Sequence, residues 1–218
     1  DQRAAINLVT PMQNIITNFG SGITVAGAVL IAQYIGAGEK EDARSMANQI
    51  FACAMGFAVV CATLCFLGTP AIVNWLGADG GTAYYAKVYL RVVIWDMPFL
   101  YMVNIFSAVH QAQGDTVRPM FLNLGGITLN LFLDPFFMII LDLGTAGAAL
   151  ATLLAKAIPA IMAFGLLCRQ ENDICLNRKY MRLQKEKLGM ILKIGLPTAI
   201  GGSTMQLGFL LMSKNVFV

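Results

Sequence analysis

The sequence predicts an all-α, polytopic helical membrane protein, and three observations lead to this prediction. First, 57% of the 218 residues are apolar and only 12% are charged, whereas roughly 25% of the residues in a soluble domain are charged. Second, the mean hydropathy is +0.68. Third, the apolar residues form long uncharged runs without the short alternating pattern of membrane strands. Because helices satisfy their own backbone hydrogen bonds in lipid, we expect these runs to be helices.

Six segments are long and apolar enough, or nearly so, to cross a bilayer, which takes about 20 residues. They end at charged or polar residues and cover positions 4–38, 46–76, 92–114, 119–141, 143–168 and 188–218. No polar loop closes the sixth segment, so we expect that helix to be truncated at Val218.

The loops differ in charge, and this difference predicts the orientation of the chain. Basic residues follow the first, third and fifth segments: Lys40, Arg44, Arg118, Arg169, Arg178, Lys179, Arg182, Lys185 and Lys187. Since loops rich in Lys and Arg stay on the cytoplasmic side, these loops are predicted to be cytoplasmic. The polar stretch 169–187 is predicted to be a cytoplasmic linker between a lobe at 1–168 and a following helix at 188–218.

Several function classes are disfavoured by the residues present. The chain has one histidine, so a Ser-His-Asp triad or a multi-histidine metal site is not expected, and an enzyme is not predicted. A Walker-type loop and a basic stripe with aromatic residues are both absent from the sequence, which argues against ATP and nucleic acid. We expect no tightly bound cofactor, and we interpret the five cysteines as reduced.

Besides Lys193 near the start of the sixth segment, four charged residues lie inside the predicted spans: Asp96, Asp134, Lys156 and Lys214. Charges in a bilayer are costly and usually face a cavity or a partner, so each is a candidate functional group. Two of them have simpler interpretations. Lys214 can extend its ammonium to the outer interface, and Asp96 lies five residues after Arg91, where the outer surface is near.

Asp134 is the strongest candidate for binding a coupling ion. Asn130 lies four residues earlier and therefore on the same helix face, and Pro135 frees a backbone carbonyl one turn back. Asp134 and Thr152 each lie nine residues from Leu143, so in an antiparallel pair both sit roughly 13 Å below the turn. These oxygens together resemble a site for a hard cation such as Na⁺, or for a proton.

Each of these residues also has an alternative interpretation. Asp134 and Pro135 can mark a kink with a capped helix end, and Thr152 can bond to its own helix backbone. Lys156 lies one turn beyond Thr152 on the same face. It is either a counter-ion for an aspartate without a role in transport, or a cation that holds Asp134 ionised and competes with sodium.

Several motifs resemble the multidrug and toxic-compound extrusion (MATE) family. The residues 111–119, QAQGDTVRP, are similar to a cytoplasmic loop of that family, and 130–135 (NLFLDP) with 144–152 (GTAGAALAT) are similar to its next two helices. Four shorter stretches are also similar to that family, at positions 35–39, 90–91, 98–99 and 195–197. Together the motifs follow the order of the family and cover essentially the whole chain.

The resemblance implies one six-helix transporter lobe, with its first helix missing, plus the start of a second lobe. Members of the DinF-like branch use an aspartate on helix one, an Asn and an Asp on helix five and a Thr on helix six. The last three match Asn130, Asp134 and Thr152, whereas the first has no counterpart here. Between Leu196 and Ser213 there is no acidic residue to match the helix-seven glutamate of another branch.

The function implied is a cation-coupled antiporter, driven by H⁺ or Na⁺, that exports drugs or other small organic molecules across a bacterial cytoplasmic membrane. The expected partners are an organic cation or amphiphile as substrate, the lipid bilayer, and the missing helix one and second lobe of the same protein. Two alternatives remain open: a lipid-linked-sugar flippase of the same superfamily, which the cationic Lys156 and Lys214 favour, and a membrane receptor or assembly factor that does not transport.

Overall fold

A computed structural model of the chain describes residues 2–75, 87, 91, 94–140, 144–169, 174 and 184–217, and these residues form six long helices. The helices are α1 (Gln2–Gly36), α2 (Lys40–Trp75), α3 (Met97–Ala112), α4 (Val117–Pro135), α5 (Gly144–Cys168) and α6 (Lys185–Phe217). A 3-10 turn at Ile94–Asp96 precedes α3, and a π-helical segment at Phe136–Ile140 continues α4. The predicted all-α fold is confirmed.

Four of these helices are long and apolar enough to cross a membrane over the ranges Asn14–Gly36, Lys40–Pro70, Val117–Met138 and Leu150–Cys168. They correspond to the first, second, fourth and fifth predicted spans. The third and sixth predicted spans form α3 and α6. Most of the stretch 169–187 and the side chain of Lys214 lie outside the described residues, and the boundaries between lobe, linker and last helix stay a prediction.

Tight turns with glycine join successive antiparallel helices. Gly38 and Gly114 have φ angles of +81° and +83° in the turns after α1 and α3, a conformation that favours glycine because it has no Cβ. In the second turn the carboxylate of Asp115 accepts hydrogen bonds from the backbone N–H groups of Val117 (3.0 Å) and Arg118 (3.2 Å). These bonds satisfy donors at the start of α4 and help to set where that helix begins.

The core lies where α1, α2 and α3 meet, and the outer faces of α4 and α5 are left apolar and exposed. Ile31, Met46 and Phe106 are fully buried in this core. By contrast Leu131 and Ile161 are 69% and 67% exposed. Large apolar side chains that face outward along a whole helix are typical of a surface in contact with lipid.

Helix α6 packs along α1 through small residues and polar contacts. Asn18 Nδ2 donates to the carbonyl of Gly202 at 2.9 Å. Near its first residues, α6 also contacts α2, where Lys187 Nζ lies 3.0 Å from Asp42 Oδ1. The two helices approach most closely at Gly22, where an added Cβ would lie 2.5 Å from the carbonyl oxygen of Gly195.

This close approach predicts that Gly22→Ala destabilises the protein by about 1–3 kcal/mol, because the new methyl group meets backbone that cannot move aside without separating α1 from α6. The matched control is Gly201→Ala on α6, where an added Cβ meets nothing within 4 Å. Thermal stability of the two purified variants in detergent checks the prediction. Equal stability would show that the helices can separate at no cost.

Candidate functional site

A pocket of about 250 Å³ lies between α3, α4 and α5. Most of its wall is apolar, with side chains such as Leu100 and Val103 from α3. Four polar side chains line it, two from α4 and two from α5: Asn123, Asn130, Thr152 and Lys156. Three of the four residues predicted for the ion-coupling and substrate site are therefore in this pocket.

The fourth predicted residue, Asp134, adjoins the pocket through Asn130. Its Oδ1 atom accepts a hydrogen bond of 3.3 Å from Asn130 Nδ2, as expected for two residues four apart on one helix face. The carboxylate is partly exposed. The α-helical winding ends at Pro135, and the chain continues directly into the π-helical segment. The proline therefore marks a change of helical winding and not the end of helical structure.

Thr152 bonds within its own helix. Its hydroxyl donates to the carbonyl of Ala148 at 2.9 Å, which is the alternative that the sequence left open. Since a hydroxyl that donates one bond keeps lone pairs, Thr152 Oγ1 retains capacity to accept. Asn123 likewise donates to its own helix, at the carbonyl of Pro119 (2.8 Å), and its amide oxygen is a second acceptor group on the pocket wall.

Lys156 pairs with Asp96. The ammonium Nζ lies 2.5 Å from Asp96 Oδ2. Of the two interpretations of Lys156 that the sequence left open, the structure shows a lysine paired with an aspartate, and this aspartate is Asp96 and not Asp134. Asp96 itself is fully buried within the protein, and its position close to the outer surface stays a prediction. The lysine side chain is 30% exposed, and Lys156 is one of the residues that line the pocket.

The sequence did not place Asp96 in the predicted ion-coupling site, although Asp96 pairs with Lys156, which was placed there. A lysine within a membrane span usually has a counter-ion, and the predicted spans contain two aspartates that can supply it. Asp96 and Lys156 are 60 positions apart. Their contact depends on which faces of α3 and α5 meet, and no spacing rule within one helix gives that.

The oxygen atoms around the pocket suit a small hard cation or a proton. Asp134 offers a carboxylate, Asn130 an amide oxygen and Thr152 a hydroxyl oxygen, which are the ligand types that hard cations take. Among the residues that the structure describes, no three His, Cys, Asp or Glu side chains are grouped as for a transition metal. The pairing of Lys156 with Asp96 removes most of its positive charge from the surroundings of Asp134.

The chain matches known transporters in sequence and in structure. The family model MatE matches residues 2–136. The multidrug export protein MepA of Staphylococcus aureus (strain MSSA476) is 28% identical over 217 residues, which are 99% of this chain and 47% of that protein. MepA of Staphylococcus saprophyticus is 25% identical over 194 residues, or 89% of this chain and 43% of that protein. The chain thus spans about half the length of the curated relatives it matches.

Two solved structures show the same fold. A multidrug resistance MATE family transporter of the MOP superfamily, in an inward-facing conformation, superposes with a TM-score of 0.91 at 25% identity, over 98% of this chain and 49% of that one. A MOP superfamily transporter from Pyrococcus furiosus, described by a binding pocket of reverse polarity that suggests a different function, superposes with a TM-score of 0.87 at 26% identity, over 94% of this chain and 45% of that one.

Proposed function

Because this chain belongs to the MatE family, we propose that it is part of a cation-coupled antiporter that exports drugs or other small organic molecules across a bacterial cytoplasmic membrane. The observation that supports coupling is the contact between Asp134 and Asn130 at the edge of a pocket that Thr152 also lines. The multidrug export activity named for MepA supports the substrate class.

Coupling follows from the cost of charge in a membrane. An empty, ionised Asp134 is costly next to lipid, and a bound proton or sodium ion neutralises it. A cation that binds one state of the lobe more tightly than the other shifts the lobe toward that state. Binding of that cation then favours release of the substrate on one side. The lobe returns to the other side with the cation bound and without substrate.

The pocket suits an amphiphilic substrate. Its wall is mostly apolar, with a few polar groups placed to orient a ligand, which is the usual composition of a small-molecule site. The expected substrate is an organic cation or amphiphile, and the lobe works against the rest of the transporter in the bilayer. The paired Asp96 and Lys156 add no net charge, so they do not repel a cationic substrate.

A second candidate function, a lipid-linked-sugar flippase, is favoured by one observation. Among the lining residues the structure describes, the charged one is a cation, Lys156. The Pyrococcus furiosus transporter with a pocket of reverse polarity is a structural neighbour for which a function other than multidrug export has been suggested. A flippase would carry an anionic headgroup past this lysine.

Ethidium efflux separates the two functions. Cells that express the full-length protein are expected to export ethidium faster than cells with an empty vector, and an imposed sodium or proton gradient is expected to increase the rate. No efflux from a well-expressed protein would contradict the drug exporter. Envelope defects on deletion of the gene, without loss of resistance to lipophilic cations, would support the flippase.

A further inference from the structure

Lys156 contacts one carboxylate of this lobe and lines a pocket that a second carboxylate adjoins. Its ammonium is 2.5 Å from Asp96. Lys156 also lines the pocket that Asn130 lines, and Asn130 Nδ2 donates a hydrogen bond to Asp134. Thr152, one turn before Lys156 on α5, lines the same pocket. The lysine therefore has one carboxylate as its partner and shares a pocket with a second cluster of oxygens.

We propose that Lys156 is a tethered cation that competes with the coupling cation for the cluster of Asp134, Asn130 and Thr152. Asp96 is the positioning residue that holds Lys156 away from this cluster. The inference rests on the proposed function, because it assigns the residues that decide when the cluster is free to take a cation.

The charge and shape of the lysine side chain fit this role. An ammonium carries the same charge as Na⁺ and three N–H donors, which match carboxylate, amide and hydroxyl oxygens. Its flexible four-carbon stem lets the charge move while the backbone of α5 stays in place. An ammonium within the membrane usually pairs with a counter-ion. If Asp96 no longer supplies one, Asp134 is the carboxylate next to the same pocket.

The way Asp96 holds Lys156 permits an exchange. Only Oδ2 contacts the ammonium, and Oδ1 is buried with no hydrogen-bond partner among the residues that the structure describes. The lysine side chain is also 30% exposed, so it is not packed in on all sides. A contact through one oxygen, made by a partly free side chain, can be given up for another carboxylate without repacking of the helices.

Zero-length cross-linking shows which carboxylate Lys156 contacts. Dicyclohexylcarbodiimide activates a carboxyl group within the membrane, and an amine in contact with it displaces dicyclohexylurea to form an amide. The full-length protein is treated in membranes, digested and analysed by mass spectrometry. The wild type is expected to give an amide between Lys156 and Asp96. Asp96→Asn is expected to give an amide between Lys156 and Asp134 instead.

The controls make each outcome decisive. Lys193→Met removes an exposed lysine on α6 and is expected to leave the cross-links unchanged. The double variant Asp96→Asn, Asp134→Asn is expected to abolish the cross-links of Lys156 to both carboxylates. An Asp96→Asn protein without the amide to Asp134 would overturn the proposal. Because the cross-link needs no transport, this result is distinct from a failure to export ethidium, which would overturn only the proposed function.

A second variant applies if Asp96→Asn does not accumulate in the membrane. Asp96→Asn with Lys156→Met removes both charges and the competitor together. The concentration of coupling cation that gives half-maximal ethidium efflux is expected to be equal to or lower than that of the wild type. A higher concentration would show that Lys156 assists cation binding, and would overturn the proposed competition.

Discussion

Asp134→Asn in the full-length protein is expected to abolish ethidium export while the amount of protein in the membrane stays unchanged. The amide has nearly the same shape and can keep its contact with Asn130, but it cannot take up a proton or balance the charge of a cation. Without a group that takes up the coupling cation, its gradient no longer drives export, so efflux is expected to fall to the level of cells with an empty vector. Ethidium efflux and drug resistance of cells that express each protein are the measurements.

The matched control for this substitution is Glu39→Gln, which neutralises an exposed acid outside the spans, just before α2. It is expected to export like the wild type. Resistance that survives Asp134→Asn at normal expression would exclude Asp134 as the coupling group.

The ion pair between Asp96 and Lys156 predicts a large, non-additive effect on stability. Lys156→Met leaves the fully buried carboxylate of Asp96 without its partner and is expected to cost about 3–5 kcal/mol. Asp96→Asn is expected to cost less, because Lys156 can then pair with Asp134, and the double variant is expected to be close to the wild type. Thermal unfolding of the purified full-length protein in detergent, followed for all four proteins, measures the coupling.

A second ion pair in the same chain serves as the control. Lys187 and Asp42 are 3.0 Å apart, but the aspartate side chain is 52% exposed. Asp42→Asn is therefore expected to cost less than about 1 kcal/mol. A double variant of Asp96 and Lys156 that is as unstable as Lys156→Met would show that these side chains contribute through packing and not through their charges.

Much of the fold was predictable because each helix is encoded by a local pattern. The long apolar runs gave the all-α membrane fold, and the motifs around Gly114 and Asp134 gave the MATE family, which the family match confirms. The contact between Asn130 and Asp134 was predictable for the same reason, since their spacing of four depends on the geometry of one helix. The roles of these residues in transport stay a prediction.

What could not be predicted depends on how separate helices face each other. The spans contain two aspartates that could pair with Lys156, and only the packing of α3 on α5 selects Asp96. The burial of Asp96 has the same cause, because its distance along the chain from Arg91 does not tell how deep it lies. The π-helical winding after Pro135 was also not predicted, since a proline is equally compatible with a kink.

Transport in liposomes tests most directly whether export is coupled to a cation at Asp134. The full-length protein is reconstituted, ethidium is loaded, and a sodium or a proton gradient is imposed separately. The wild type is expected to move ethidium only when one of the two gradients is present, and Asp134→Asn is expected to match empty liposomes under every condition. Equal ethidium transport without any gradient, or by Asp134→Asn with one, would contradict coupling through this aspartate.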